Sequence, residues 1–243
     1  MRVIFLDLDR TLLGDDYSPK PAKGVVKELR RAGFEVVFNS SKTLAEQEYY
    51  RRALAVEGPF IVENGSAVVI PADYFPFPIG GVRRGNYILL ELGRPYSEIK
   101  AVLDCMSDEY GLKYYGNSTL EEVMAFTGLP EELARLAMRR DYSETIFRWG
   151  KGGFPEELRK KGLRVSKGSR FVNVTGDTDK GKAASLLLEL YSRLGEVESY
   201  ALGDGENDFP MLEVVDHAFI IGDLSYSGAK HISSLDELLE VVL

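Results

Sequence analysis

Short apolar runs that stop abruptly at polar residues recur along the chain. Val3-Ile4-Phe5-Leu6 meets Asp7 and Asp9, and a run of that length and composition predicts a buried strand. From Lys20 to Ala32, Val25, Val26 and Leu29 fall at helical spacing before Gly33, which predicts a helix with a glycine stop. "FEVVFNSS" predicts a second buried strand, and Leu44 to Val56 a helix with Thr43 as its N-cap. "FIVENG" and "AVVIP" flank Asn64-Gly65, the strongest short hairpin signal.

From Tyr74 the pattern changes. "DYFPFPIGG" is rich in Pro, Gly and aromatic residues and predicts a linker. Beyond it, "NYILLELG", "LKYYG" and "SETIFRW" predict strands. Ser97 to Tyr110, Leu120 to Phe126 and Glu131 to Arg139 predict helices. "PEELRKKG" then predicts a short helix and "LRVSKGSRFVNVTG" a strand pair. From Lys180 the strand–helix alternation returns: a long helix, the strand "SYALGD", a helix carrying Pro210 in its first turn, the strand "HAFIIG" and a terminal helix. This alternation predicts an α/β fold, a doubly wound parallel sheet. Residues 1–80 and 168–243 are assigned to that core and residues 81–167 to an inserted α+β domain.

Composition narrows the chemistry. The chain has 243 residues, 44% hydrophobic and 28% charged, enough for a sizeable core. The net charge is -8 and no basic stripe stands out, so nucleic acid is not an expected partner. Neither is a membrane, because no apolar stretch approaches the ~18 residues of a span and the N-terminal run meets Asp7 too soon for a signal peptide. A cytoplasmic location is expected. Cys105 is the only cysteine, and His217 and His231 are the only histidines. A thiolate or His-rich metal site is thereby disfavoured, and any catalytic metal should take oxygen ligands, which points to Mg²⁺.

Asp7, Asp9, Ser40 and Asp204 each follow a predicted strand, and Asp208 lies close behind Asp204. In open α/β sheets ligands bind beyond the carboxyl ends of the strands. Several carboxylates gathered there require a cation or a proton.

These stretches resemble the haloacid dehalogenase superfamily of phosphatases. "DLDRT" stands for the family's D-x-D-x-T, and "GDGENDFPML" for its G-D-G-x-N-D. Ser40 in "FNSSK" and Lys180 in "DKGKA" stand for the second and third motifs. The insertion resembles the C2-type cap of the Cof-like branch. The resemblance implies a Rossmann-like core with Asp7 as nucleophile, Asp9 as general acid and base, and Ser40 and Lys180 on the phosphoryl oxygens. It also implies Mg²⁺ on Asp7, Asp9 through its carbonyl, Asp204 and Asp208, with Asn207 orienting Asp204 or Ser40.

Two stretches depart from the family pattern. Arg10 stands where many relatives have Gly, and Ser40-Ser41-Lys42 where many have T-G-R. "NSSKT", "RRDYSET" and "KGSRFVNVTGDTDKGKA" are similar to the mannosyl-3-phosphoglycerate phosphatases, which implies a small anionic phosphorylated sugar-glycerate as substrate. Ser169, Arg170, Arg140, Tyr142 and Glu144 are the expected substrate contacts, with Arg170 expected to take the glycerate carboxylate. Glu63 to Gly65 reads equally as a substrate contact or a plain turn. A phosphomutase of the same fold and a non-catalytic sugar-phosphate-binding module are the competing readings. Oligomeric state is not legible.

Overall fold

The computed structural model describes residues 1–168 and 170–243; Ser169, one expected substrate contact, lies outside the described residues. β1 (Arg2–Leu6) runs through α1 (Ala22–Arg31) to β2 (Phe34–Phe38). Next come α2 (Leu44–Leu54), β3 (Phe60–Val62) and β4 (Ala67–Pro71). α2 opens with a capping box: the Thr43 hydroxyl accepts from the Glu46 amide, and the Glu46 carboxylate accepts from the Thr43 amide. Then follow β5 (Val82–Arg84), β6 (Tyr87–Glu91), α3 (Tyr96–Tyr110) and β7 (Lys113–Tyr114). α4 (Leu120–Thr127), α5 (Glu131–Ala137), β8 (Ser143–Arg148), α6 (Phe154–Lys160), β9 (Arg164–Lys167) and β10 (Val172–Thr175) complete the middle of the chain. The last part holds α7 (Lys180–Ser192), β11 (Glu198–Gly203), α8 (Phe209–Leu212), β12 (His217–Ile221), β13 (Lys230–Ile232) and α9 (Leu235–Val242).

The core is a five-stranded sheet in the order β13-β12-β11-β1-β2, parallel throughout. Alternating side chains of β1 face opposite layers. Ile4 and Leu6 pack with Val26 of α1 and Leu238 of α9, while Val3 and Phe5 pack with Ala183 and Leu187 of α7. All four β1 side chains are fully buried, each contributing about 1.5–3 kcal/mol. Burial on both faces is why the strand reads as an unbroken apolar run. β13, too short and polar to stand out in the sequence, extends the sheet beyond β12.

Two features differ from the sequence expectation. Residues 82–91, expected in the inserted domain, form β5 and β6, which join the antiparallel sheet β3-β4-β6-β5 beside the core. Residues 172–175, expected in the core, form β10 between β8 and β9 of a second antiparallel sheet, β7-β8-β10-β9. Pairing register is a tertiary property, so apolar patterning alone does not show which sheet a strand joins. The aromatic stretch after Tyr74 is also no free linker: Phe75 is buried and packs edge-on against Tyr191 of α7.

The inserted segment sits on the core. α5 packs against α2, and the Thr43 hydroxyl donates to the Leu136 carbonyl at 3.0 Å. Val123, Leu133 and Ala137 share one apolar cluster with Leu54 and Phe38. Among the described residues no helix is long and apolar enough to cross a membrane.

Candidate active site

The sheet's topology delivers the expected acids to one place. β1 and β11 are parallel neighbours, so Asp7 and Asp204 leave the same edge side by side. Asp208 follows in the next turn, and carboxylate oxygens of Asp7, Asp204 and Asp208 lie within 4.8 Å of one another. Lys180 opens α7 beneath them, and its ammonium donates to Asp7 Oδ1 at 2.6 Å and Asp208 Oδ1 at 2.5 Å. Three devices fix that lysine. Asp179 caps the helix by accepting from the Lys182 amide at 2.8 Å, and Asn39 Nδ2 donates to the Lys180 carbonyl at 3.0 Å. Gly181 lets α7 approach α8, since a Cβ there would lie 2.2 Å from the Pro210 carbonyl oxygen.

The charges do not balance. Three carboxylates share one ammonium, so full ionisation would leave two negative charges in a largely buried cluster. Burial, then Asp208, pushes the Asp204 carboxyl up to about 7, against the pull of Lys180. Burial likewise raises Asp7 well above the usual carboxylate range, with Lys180 opposing and Asp208 and Asp204 reinforcing it. Burial works against the Lys180 ammonium, but Asp208 and Asp7 outweigh it and raise its pKa. An all-oxygen set with this surplus fits a hard divalent cation. Asp208 stands at the back of the set. Its second oxygen accepts from the Asp204 and Gly205 amides, both at 3.0 Å, so it braces the loop and Lys180.

Asp9 has a different partner. Lys42, which stands at the Arg position of T-G-R, places its ammonium 2.8 Å from Asp9 and 3.4 Å from Glu46. It lies 5.2 Å from the ring centres of both Tyr17 and Tyr50. Burial opposes its charge, yet Asp9 and Glu46 raise its pKa well above the lysine value. The sequence marked Lys42 only as a subfamily difference. Arg10, the other departure, has φ 60°, a left-handed conformation that costs a non-glycine residue about 1–2 kcal/mol.

These groups open into a cavity of about 330 Å³ between core and insertion. Ser40 is fully buried beneath its wall, and the wall itself there is Ser41 and Lys42. Asn207 donates to Asn64 in the β3–β4 turn at 3.3 Å, rather than to Asp204 or Ser40. The turn carries Glu63, Asn64 and Gly65 at φ 50°, 59° and 85°. A Cβ at Gly65 would fall 2.0 Å from the Asp179 carbonyl oxygen.

The expected contacts in the insertion fare differently. Arg140 lines the cavity, but its guanidinium donates to the Ser143 carbonyl and hydroxyl and to the Ser41 carbonyl. Tyr142 and Glu144 do not line it. Tyr142 donates its hydroxyl to Glu91, and Glu144 pins a turn by accepting from the Tyr115, Gly116 and Thr145 amides. Arg170 lines the cavity too, but donates to the Tyr17 hydroxyl at 2.9 Å and the Thr127 carbonyl at 2.7 Å, joining a core loop to the end of α4. Glu63 is fully buried and does not line the cavity. Its carboxylate accepts from the Asp141 and Tyr142 amides and the Ser143 hydroxyl at 2.7–3.1 Å, clasping the insertion to the core. The cavity wall on β8 and β10 is neutral and polar: Thr145 donates to Asn173 at 3.2 Å, while the alternate residues Ile146 and Val174 face the insertion's apolar core.

The chain is similar to known proteins. Residues 4–75 and 151–233 match the haloacid dehalogenase-like hydrolase family. The chain is 59% identical over 242 residues to a mannosyl-3-phosphoglycerate phosphatase of Pyrococcus furiosus, covering 100% of both chains. It is 38% identical over 226 residues to a glucosyl-3-phosphoglycerate/mannosyl-3-phosphoglycerate phosphatase of Persephonella marina, covering 90% of this chain and 84% of that one. Among solved structures, a haloacid dehalogenase-like hydrolase of Bacteroides thetaiotaomicron superposes with a TM-score of 0.70 at 19% identity, over 99% of this chain and 97% of that one.

Proposed function

The chain belongs to the haloacid dehalogenase-like hydrolase family, and from that premise we propose that it is a phosphatase releasing phosphate from mannosyl-3-phosphoglycerate. The end-to-end identity of 59% with a phosphatase of that name carries the reading. The largely buried cluster around Asp7, with more carboxylates than cations, supports it.

Asp7 is the nucleophile. One of its oxygens attacks phosphorus as the ester P–O bond breaks, giving an aspartyl-phosphate. Asp9 donates a proton to the departing glycerate oxygen, then takes one from the water that attacks the aspartyl-phosphate; that P–O bond breaks and phosphate leaves. Lys180, 2.6 Å from Asp7, stands where negative charge grows on the phosphoryl oxygens. Lys42 stands 2.8 Å from Asp9, where it stabilises the carboxylate that Asp9 becomes once its proton has passed to the glycerate oxygen and before it takes one from water. Asp7, Asp204 and the Asp9 carbonyl would hold Mg²⁺, with Asp208 bracing them; when bound, the ion offsets phosphoryl charge.

The test is phosphate release by purified protein with Mg²⁺ from mannosyl-3-phosphoglycerate and its glucosyl counterpart. Release from the mannosyl ester is expected. Comparable release from both would favour the dual specificity named for the Persephonella relative. An isomeric sugar phosphate without free phosphate would indicate a mutase, and no reaction with either ester would reject the reading.

A further inference from the structure

Four cationic side chains line the cavity: Arg10, Lys42, Arg140 and Arg170. Three are engaged. Lys42 pairs with Asp9, Arg140 with the Ser143 and Ser41 carbonyls, and Arg170 with Tyr17 and the Thr127 carbonyl. Arg10 is exposed and, among the described residues, makes no hydrogen bond or ion pair. It also holds φ 60°, where glycine would sit without strain. A strained residue at a catalytic edge is a pointer to use. Here the strain is tolerated directly after Asp9, at a point where the main cavity meets the neighbouring one beside Asp204 and Gly168.

We propose that Arg10 is a specificity-determining residue whose open guanidinium fork binds the carboxylate of the substrate's glycerate group. This rests on the functional reading above. In a 3-phosphoglycerate the carboxylate is separated from the ester oxygen by two carbons, so an anion-binding group must stand close to the reacting phosphate. Arg10 adjoins Asp9, and its planar donors match a carboxylate in bidentate fashion. Arg170, the sequence-based candidate, has its donors on carbonyl and hydroxyl oxygens that close the insertion onto the core. The competing role for Arg10 is a counter-charge for the nearby Asp204, which would serve every phosphate ester alike.

The test compares kcat/KM for mannosyl-3-phosphoglycerate and for the analogue with the carboxylate reduced to an alcohol, in the wild type, Arg10→Gly and Arg10→Lys. Glycine suits the left-handed backbone, so Arg10→Gly should fold with an unchanged or higher Tm. The selectivity for the carboxylated ester should fall roughly ten- to a hundred-fold in Arg10→Gly, chiefly through KM. Arg10→Lys should recover part of it, since charge is kept and the fork lost. An unchanged selectivity, whether activity on both esters holds or falls equally, overturns the assignment. Failure of the wild type to hydrolyse the glycoside would instead overturn the functional reading on which it rests.

Discussion

The core and the insertion both bury carboxylates, and they use them in opposite ways. At the core's edge, Asp7, Asp204 and Asp208 crowd around one ammonium with negative charge left over. In and under the insertion, Glu63 and Glu144 have their oxygens filled by backbone amides and hydroxyls, with the Arg140 guanidinium nearby. A buried acid whose hydrogen bonds are complete specifies geometry. A buried acid with uncompensated charge is poised to take a cation or an electrophile. The contrast separates chemistry from framework among side chains that burial alone does not tell apart.

The comparison breaks most visibly at Asp7. Asp7→Asn keeps the shape but supplies a poor nucleophile. Turnover should fall by several orders of magnitude while the metal-free Tm holds or rises, because one of the crowded charges is gone. A large loss of Tm with residual phosphate release would place Asp7 in the framework instead.

Glu63→Ala should do the reverse. It leaves Arg140 and two backbone amides without their buried acceptor. Breaking a buried pair in this way costs about 3–5 kcal/mol, readable as a lower urea midpoint. An unchanged midpoint would remove Glu63 from the clasp.

Arg170→Ala sharpens the division within the cavity wall. Its contacts join Tyr17 to the last turn of α4, and each hydrogen bond is worth about 0.5–1.5 kcal/mol. Losses of about tenfold are expected, equal for carboxylated and carboxylate-free esters. A loss confined to the carboxylated ester would restore Arg170 as the carboxylate site.

How much of this was legible in the sequence follows the same division. Asp7, Lys180, Asp204 and Asp208 sit in motifs at strand and helix ends, so local pattern and parallel topology together bring them into one cluster. The Thr43 cap and the Asn64-Gly65 turn were legible for the same local reason. Arg170 was not, because its partner Thr127 lies 43 residues away. Nor was Glu63, whose ligands come from residues 141–143. The sheets that β5, β6 and β10 join were not legible either, because these strands choose partners by register, with no local mark.

A smaller effect concerns pH. The folded Asp204 carboxyl titrates near 7, above its ordinary value of 3.8. The folded state therefore binds the extra proton between those values, so metal-free stability should fall as pH rises from about 4 to 7. Mg²⁺ should offset that fall, raising Tm more at pH 7 than at pH 4. A Tm gain independent of pH would mean that the ion binds elsewhere.

The most direct test of the central claim, that the cation-poor cluster is where phosphorus is attacked, is chemical trapping during turnover. The protein is mixed with mannosyl-3-phosphoglycerate and Mg²⁺, quenched in acid, reduced with borohydride and mapped by mass spectrometry. Conversion of Asp7 to homoserine, absent when substrate is omitted, is the predicted result. An unmodified Asp7 in samples that release phosphate, with the reduced residue found elsewhere, would contradict the account.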